Sequence, residues 1–166
     1  MLKIEHLSKN HDRKGFDCGD QKLNEFLQKT ARQHANREIS RTFVLIDGDS
    51  PKTILGYYTL TVCEVMPSEI SDPRLQRYPH PMPAAKLARL AICADSQQNG
   101  FGENLLLNAM ECSARISENA GLVGMFVDAK VRRAAGYYMR FGFIPTENNH
   151  LVLYLPIATI RQALEG

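Results

Sequence analysis

Leu2 and Ile4 alternate with polar neighbours, the two-residue period of a short strand. Past the Cys18-Gly19-Asp20 turn the period changes. Leu23, Phe26, Leu27 and Ala31 recur at helical spacing, with Lys22, Glu25, Lys29 and Arg32 largely on the other faces, which predicts an amphipathic helix. Residues 42–46 and 54–65 are rich in β-branched and aromatic side chains. Asp47-Gly48-Asp49-Ser50-Pro51 between them is turn chemistry, so the two runs predict an antiparallel hairpin. Within it Tyr57 and Tyr58 must face opposite ways, which predicts one in the core and makes the other a candidate pocket residue.

Pro67, Pro73, Pro79, Pro81 and Pro83 make the next stretch irregular, and the apolar run 87–93 then suits a buried strand. A glycine turn at 97–102 follows directly and opens a helix whose buried stripe is Leu105, Leu106, Ala109 and Met110. A strand at 122–127, a helix over 131–141 stopped near Gly142, a strand at 150–155 and a closing helix at 157–164 complete the chain. This order predicts an α+β or mixed α/β fold around one largely antiparallel sheet. With no repeat or long linker, 166 residues predict a single domain, 1–166.

Composition narrows the class. With 44% apolar and 23% charged residues the chain has a soluble globular make-up, and no stretch approaches the roughly 20 apolar residues of a membrane helix. The N-terminus mixes charge into every turn, unlike a signal peptide, so a cytoplasmic location is expected. Cys18, Cys63, Cys93 and Cys112 form no paired motif and read as reduced thiols packed among apolar neighbours. The five histidines lack metal-ligand spacing, so no metal is expected.

The net charge of +2 is modest but unevenly spread. Arg74, Arg77, Lys86 and Arg89 fall in a stretch with no acid, and Lys29, Arg32, Arg37 and Arg41 are opposed only by Glu38. Such clusters suit a phosphate-rich ligand or nucleic acid; the alternative is a solvated face.

Gln97-Gln98-Asn99-Gly100-Phe101-Gly102 offers backbone N–H groups at a helix start, where anionic oxygens are stabilised. No Gly-Lys-Ser/Thr ending follows and no third glycine is present, so neither a P-loop nor a dinucleotide fingerprint fits. What remains is a pyrophosphate ligand whose phosphates are not themselves transferred, a description that suits coenzyme A.

Gln97, Gly100 and Gly102 resemble the Arg/Gln-x-x-Gly-x-Gly/Ala motif of the GNAT acetyltransferase family. Phe16-Asp17-Cys18-Gly19, Leu55-Gly56-Tyr57-Tyr58-Thr59-Leu60, Leu87-Ala88-Arg89-Leu90-Ala91, Val127-Asp128-Ala129-Lys130 and Tyr137-Tyr138-Met139-Arg140-Phe141-Gly142-Phe143 are similar to segments of the GNAT toxins of toxin–antitoxin modules. Asn99, where many relatives carry Lys or Arg, and Tyr137 for the commoner Phe are departures.

The resemblance implies the GNAT fold, acetyl-CoA as donor and the α-amino group of aminoacyl-tRNA as acceptor, with inhibition of translation as the outcome. It implies cofactor contacts at Leu90, Ala91, Ile92, Gln97, Gln98, Asn99, Gly100, Phe101, Gly102 and Glu103, with Tyr138 as the catalytic acid. A phenol of pKa about 10 can protonate the departing thiolate, and an α-amino group near roughly 8 has a neutral fraction at pH 7, so no strong base is required. Glu64 is a candidate for ordering a water or the amine. Lys29, Arg32, Arg37, Arg77 and Arg89 are candidate tRNA contacts, with Arg132 and Arg133 expected near the cofactor mouth and Arg89 alternatively bracing the site through a hydrogen-bonded pair. A ribbon-helix-helix antitoxin and a homodimer are implied as partners. Two alternatives share the same motifs: a GNAT enzyme acting on a small-molecule or protein amine, and a non-catalytic acyl-CoA-binding module.

Overall fold

Seven strands are hydrogen-bonded in the order β1-β2-β3-β4-β5-β7-β6 in the computed structural model, which describes residues 1–70, 73, 75 and 78–166. They are β1 Leu2–His6, β2 Arg41–Asp47, β3 Gly56–Val65, β4 Met82–Ile92, β5 Gly124–Asp128, β6 Ile144–Pro145 and β7 Val152–Pro156. β4 and β5 run parallel; the pairs β1–β2, β2–β3, β5–β7 and β6–β7 are antiparallel. The mixed α/β class and the largely antiparallel sheet agree with expectation. The chain divides into two compact units, Met1–Thr61 with Ala88–Ala109, and Val62–Leu87 with Met110–Gly166.

In the first unit the hairpin forms with Val44 opposite Tyr57 and Phe43 opposite Tyr58. A buried hydroxyl pair, Thr42 Oγ1 to Thr59 Oγ1 at 2.7 Å, locks that register. The predicted amphipathic helix is interrupted. It runs as α1 (Gln21–Glu25), one π-helical stretch Phe26–Thr30 and α2 (Ala31–Asn36), with the Asp20 carboxylate capping α1 through Lys22 and Leu23 N–H. Phe26, Leu27 and Ala31 still pack with Phe16, Val44, Ile46 and Tyr57. Tyr57 and Tyr58 are both fully buried. The Tyr57 hydroxyl donates to the Leu23 carbonyl on α1, and the Tyr58 hydroxyl to Asn108 Oδ1 on α3 (Phe101–Ala120), so helices cover both faces of β3 there.

In the second unit β4 pairs with β5 from Ala85–Met125 to Leu87–Val127, and β5 with β7 from Gly124–Pro156 to Asp128–Val152. This register puts Leu87, Met125, Val127, Leu153 and Leu155 on buried positions of one face, and Lys86, Phe126, Asp128, Val152 and Tyr154 on the other. β4 starts at Met82, ahead of the predicted 87; Pro83 within it is exposed, and its carbonyl accepts from Val123 N at 2.9 Å. α4 spans Arg132–Met139 and its chain exit uses Gly142 at φ +97°; α5 spans Ile157–Glu165. The two-residue β6 was not predicted. Among the described residues no helix is long and apolar enough to cross a membrane.

Candidate active site

β4 ends at Ile92, and a short 3-10 turn, Ala94–Ser96, intervenes before the glycine turn that the sequence places directly after the strand. Gln98 (φ +70°) and Gly100 (φ +77°) then take left-handed conformations on either side of Asn99. Gly100 meets this requirement at no steric cost, whereas Gln98 is a non-glycine residue held in a sparsely populated region, a kind of strain concentrated at ligand-binding turns. α3 begins at Phe101, and the Asn104 N–H to Gly100 carbonyl bond of 3.2 Å is its first turn. The N–H groups of the preceding residues have no acceptor within the helix, and they lie at the positive end of a 20-residue dipole. Glu103 stands exposed in the first turn, so only its main chain suits a phosphate; its carboxylate opposes one.

The turn is braced from below. Gln97 Nε2 donates to the carbonyls of Cys18 and Ile92, both at 3.2 Å. Its side chain therefore ties the turn to the end of β4 and to the Phe16-Asp17-Cys18-Gly19 segment, and its two donors are spent on that. Asn99 Nδ2 donates to the Ser96 carbonyl at 3.1 Å and closes the loop, which gives a structural role to the departure noted above. The segment beneath is rigid. Asp17 Oδ1 accepts from Gly19 N and Asn24 Nδ2, Asn24 Oδ1 accepts from Cys18 N, all at 2.9 Å, and the Asp17 carbonyl accepts from Ala94 N at 2.8 Å. The Gly19 N–H bond, aided by Asn24, holds the Asp17 carboxyl below its usual range.

Leu90, Ala91 and Ile92 continue β4 beyond the last residue registered with β5, Leu87. β3 lies tight against this stretch: a Cβ on Gly56 would sit 2.9 Å from the Ala91 carbonyl oxygen and 2.8 Å from Ile92 Cδ1. Arg89, half-buried, lays its guanidinium 3.7 Å from the Phe26 ring centroid. Among the described residues its brace is thus a cation–π contact. Lys29 and Arg37 are exposed and Arg32 is half-buried, all on the helical segment of the first unit; Arg77 lies outside the described residues.

Tyr138 sits on α4 in the second unit, 8% exposed, with its ring edge-on to Tyr137 and Phe143 at 5.5 Å each. Burial, and after it the neighbouring Tyr137, pushes the phenol well above its ordinary range. The proton therefore stays on Oη at neutral pH. Arg132 and Arg133 are exposed at the start of the same helix.

Asp17, Asn24 and Gly56 brace the turn and the end of β4 without having been singled out for it. They lie in or beside segments recognised only as similar to relatives; no local rule marks Asn24 as the partner of Asp17, seven residues before it.

No family model matches the chain. The tRNA-acetylating toxin of Mycobacterium tuberculosis (strain ATCC 25618 / H37Rv) is 29% identical over 152 residues, 90% of this chain and 89% of that protein. A tyrosine-to-phenylalanine mutant of KacT matches with a TM-score of 0.90 and 33% identity over 98% of both chains. AtaT complexed with acetyl-methionyl-tRNAfMet matches with a TM-score of 0.90 and 30% identity over 99% of both. AtaT is also solved, as a tyrosine-to-phenylalanine mutant, with acetyl-CoA and the C-terminus of the antitoxin AtaR, at a TM-score of 0.83 and 30% identity over 99% of both chains. Together with the turn, the strand that precedes it and the sheet order, these matches establish that the chain belongs to the acetyl-CoA-dependent GNAT toxins of toxin–antitoxin modules, the family of KacT and AtaT.

Proposed function

We propose that this chain moves an acetyl group from acetyl-CoA to the α-amino group of an aminoacyl-tRNA and thereby stops translation. The observation that carries the reading is the braced left-handed turn at 97–102, on a chain that matches AtaT with acetyl-methionyl-tRNAfMet from end to end.

The residues fit the donor. Main-chain N–H groups of Gln98, Asn99, Gly100, Phe101, Gly102 and Glu103 would hold the pyrophosphate, with Gln97 acting through its brace; the main chain of Leu90, Ala91 and Ile92 would pair with the pantetheine arm. When bound, acetyl-CoA supplies an acyl carbon open to attack by an amine. Tyr138 then gives its Oη proton to the sulfur as the C–S bond breaks and regains one from the amine nitrogen as the amide forms, so the proton count closes. Its raised pKa keeps it a donor until that moment. KacT and AtaT were both solved as mutants with one tyrosine changed to phenylalanine, which supports giving a tyrosine this role.

Lys29, Arg32, Arg37 and Arg89 would meet tRNA phosphates, and Arg77 is kept as a further candidate. A cytoplasmic location, a homodimer and a ribbon-helix-helix antitoxin complete the proposal; the AtaT complex with the C-terminus of AtaR supports an antitoxin partner. Adding the protein to a translating extract tests it: inhibition should require acetyl-CoA. Inhibition that persists after acetyl-CoA is removed, or none with it present, contradicts the proposal.

A further inference from the structure

A cavity of about 400 Å³ opens on one face of the sheet in the second unit. Its floor is Cys63, Val65, Phe126 and Val152, which belong to the unit's apolar cluster, with the Tyr154 ring tilted against Phe126 at 4.9 Å between centroids. Glu64, Glu69 and Asp128 are among its lining residues with one cation, Lys86, and that cation is paired with Asp128 at 3.1 Å. Thr146 and Asn149 form the lip, and the Thr146 hydroxyl donates to the Asn149 carbonyl at 2.8 Å.

Acetyl-CoA and tRNA are both polyanions, and a lining with three acidic residues and one base, a net negative charge, repels phosphate. The part of an aminoacyl-tRNA that such a cavity can accept is the one without phosphate, the aminoacyl group. Asp128 closes β5, and the helix that carries Tyr138 starts four residues later at Arg132. The volume is ample for an amino-acid side chain, and the apolar floor rewards its burial.

We infer that this cavity receives the aminoacyl side chain of the acceptor and selects uncharged side chains over carboxylate ones. The inference rests on the proposed aminoacyl-tRNA acceptor. Cys63 and Val152 set the depth of the cavity, and Glu64 and Glu69 set its charge.

The test is a kcat/KM ranking over a panel of aminoacyl-tRNAs. Wild-type protein should prefer glutaminyl- to glutamyl-tRNA, near-isosteres differing in charge, by about tenfold or more, and the Glu64→Gln/Glu69→Gln double variant should narrow that gap. Cys63→Phe should cost phenylalanyl- and methionyl-tRNA at least roughly tenfold more than glycyl-tRNA, as expected when a fitted pocket is filled. Val152→Ala should shift the ranking the other way, toward bulkier groups, a gain that misfolding cannot produce. If acetylation of aminoacyl-tRNA is robust but the rankings of all three variants match wild type, the cavity assignment is overturned while the function stands. If no aminoacyl-tRNA is acetylated at all, the function itself fails and the assignment with it.

Discussion

Tyr138 and Tyr57 are two of six tyrosines, and burial raises both phenols. Because their folded pKa values lie above the unfolded one, the stability they contribute is fully present below about pH 10 and is lost as pH rises beyond it toward the folded values. Spectrophotometric titration should therefore show these two phenols ionising together with unfolding. For catalysis the same shift leaves no Tyr138 limb near neutrality: kcat/KM should rise with pH as the acceptor ammonium deprotonates near roughly pH 8, then level off. Tyr138→Phe should lower kcat by about 100-fold or more while calorimetry finds acetyl-CoA binding unchanged. At the turn, Gly100→Ala meets no steric obstacle within 4 Å, so its cost comes from the left-handed backbone alone, about 1 kcal/mol; Gly100→Asn should be milder by thermal melts.

At the scale of elements, β3 governs where β4 can lie. Gly56→Ala would push a Cβ into the Ala91 carbonyl, so β4 must shift just where it is assigned to pair with pantetheine. A loss of about 1–3 kcal/mol in stability and a weaker Kd for acetyl-CoA should appear together. What the sequence made legible follows the strength of local signals. The hairpin stood out because alternation in 54–65 flanks a turn rich in Asp and Gly, and α3 because Leu105, Leu106, Ala109 and Met110 repeat over several turns. The π-helical step at Phe26–Thr30 has no compositional mark, since the same residues also satisfy an α-helical stripe. The early start of β4 was hidden by Pro81 and Pro83, whose meaning depends on which side of the strand is unpaired. In the site, the glycine spacing marked the left-handed turn that opens α3. The brace through Gln97 was not legible, because its partner Cys18 is 79 residues away in the chain.

For the whole molecule, a net charge of only +2 hides an uneven distribution of charge. Basic residues gather on the helical segment of the first unit, while acidic residues outnumber the one base lining the cavity of the second. If about four cations meet tRNA phosphates, affinity should fall roughly 100-fold between 50 and 200 mM salt, and Lys29→Ala/Arg37→Ala should flatten that slope without altering the acetyl-CoA Kd. The central claim is the identity of the acceptor atom. It is tested most directly by incubating the protein with labelled acetyl-CoA and charged tRNA, digesting with nuclease and locating the label. The account predicts label on the α-amino nitrogen of the aminoacyl group; label on uncharged tRNA, on protein or nowhere would contradict it.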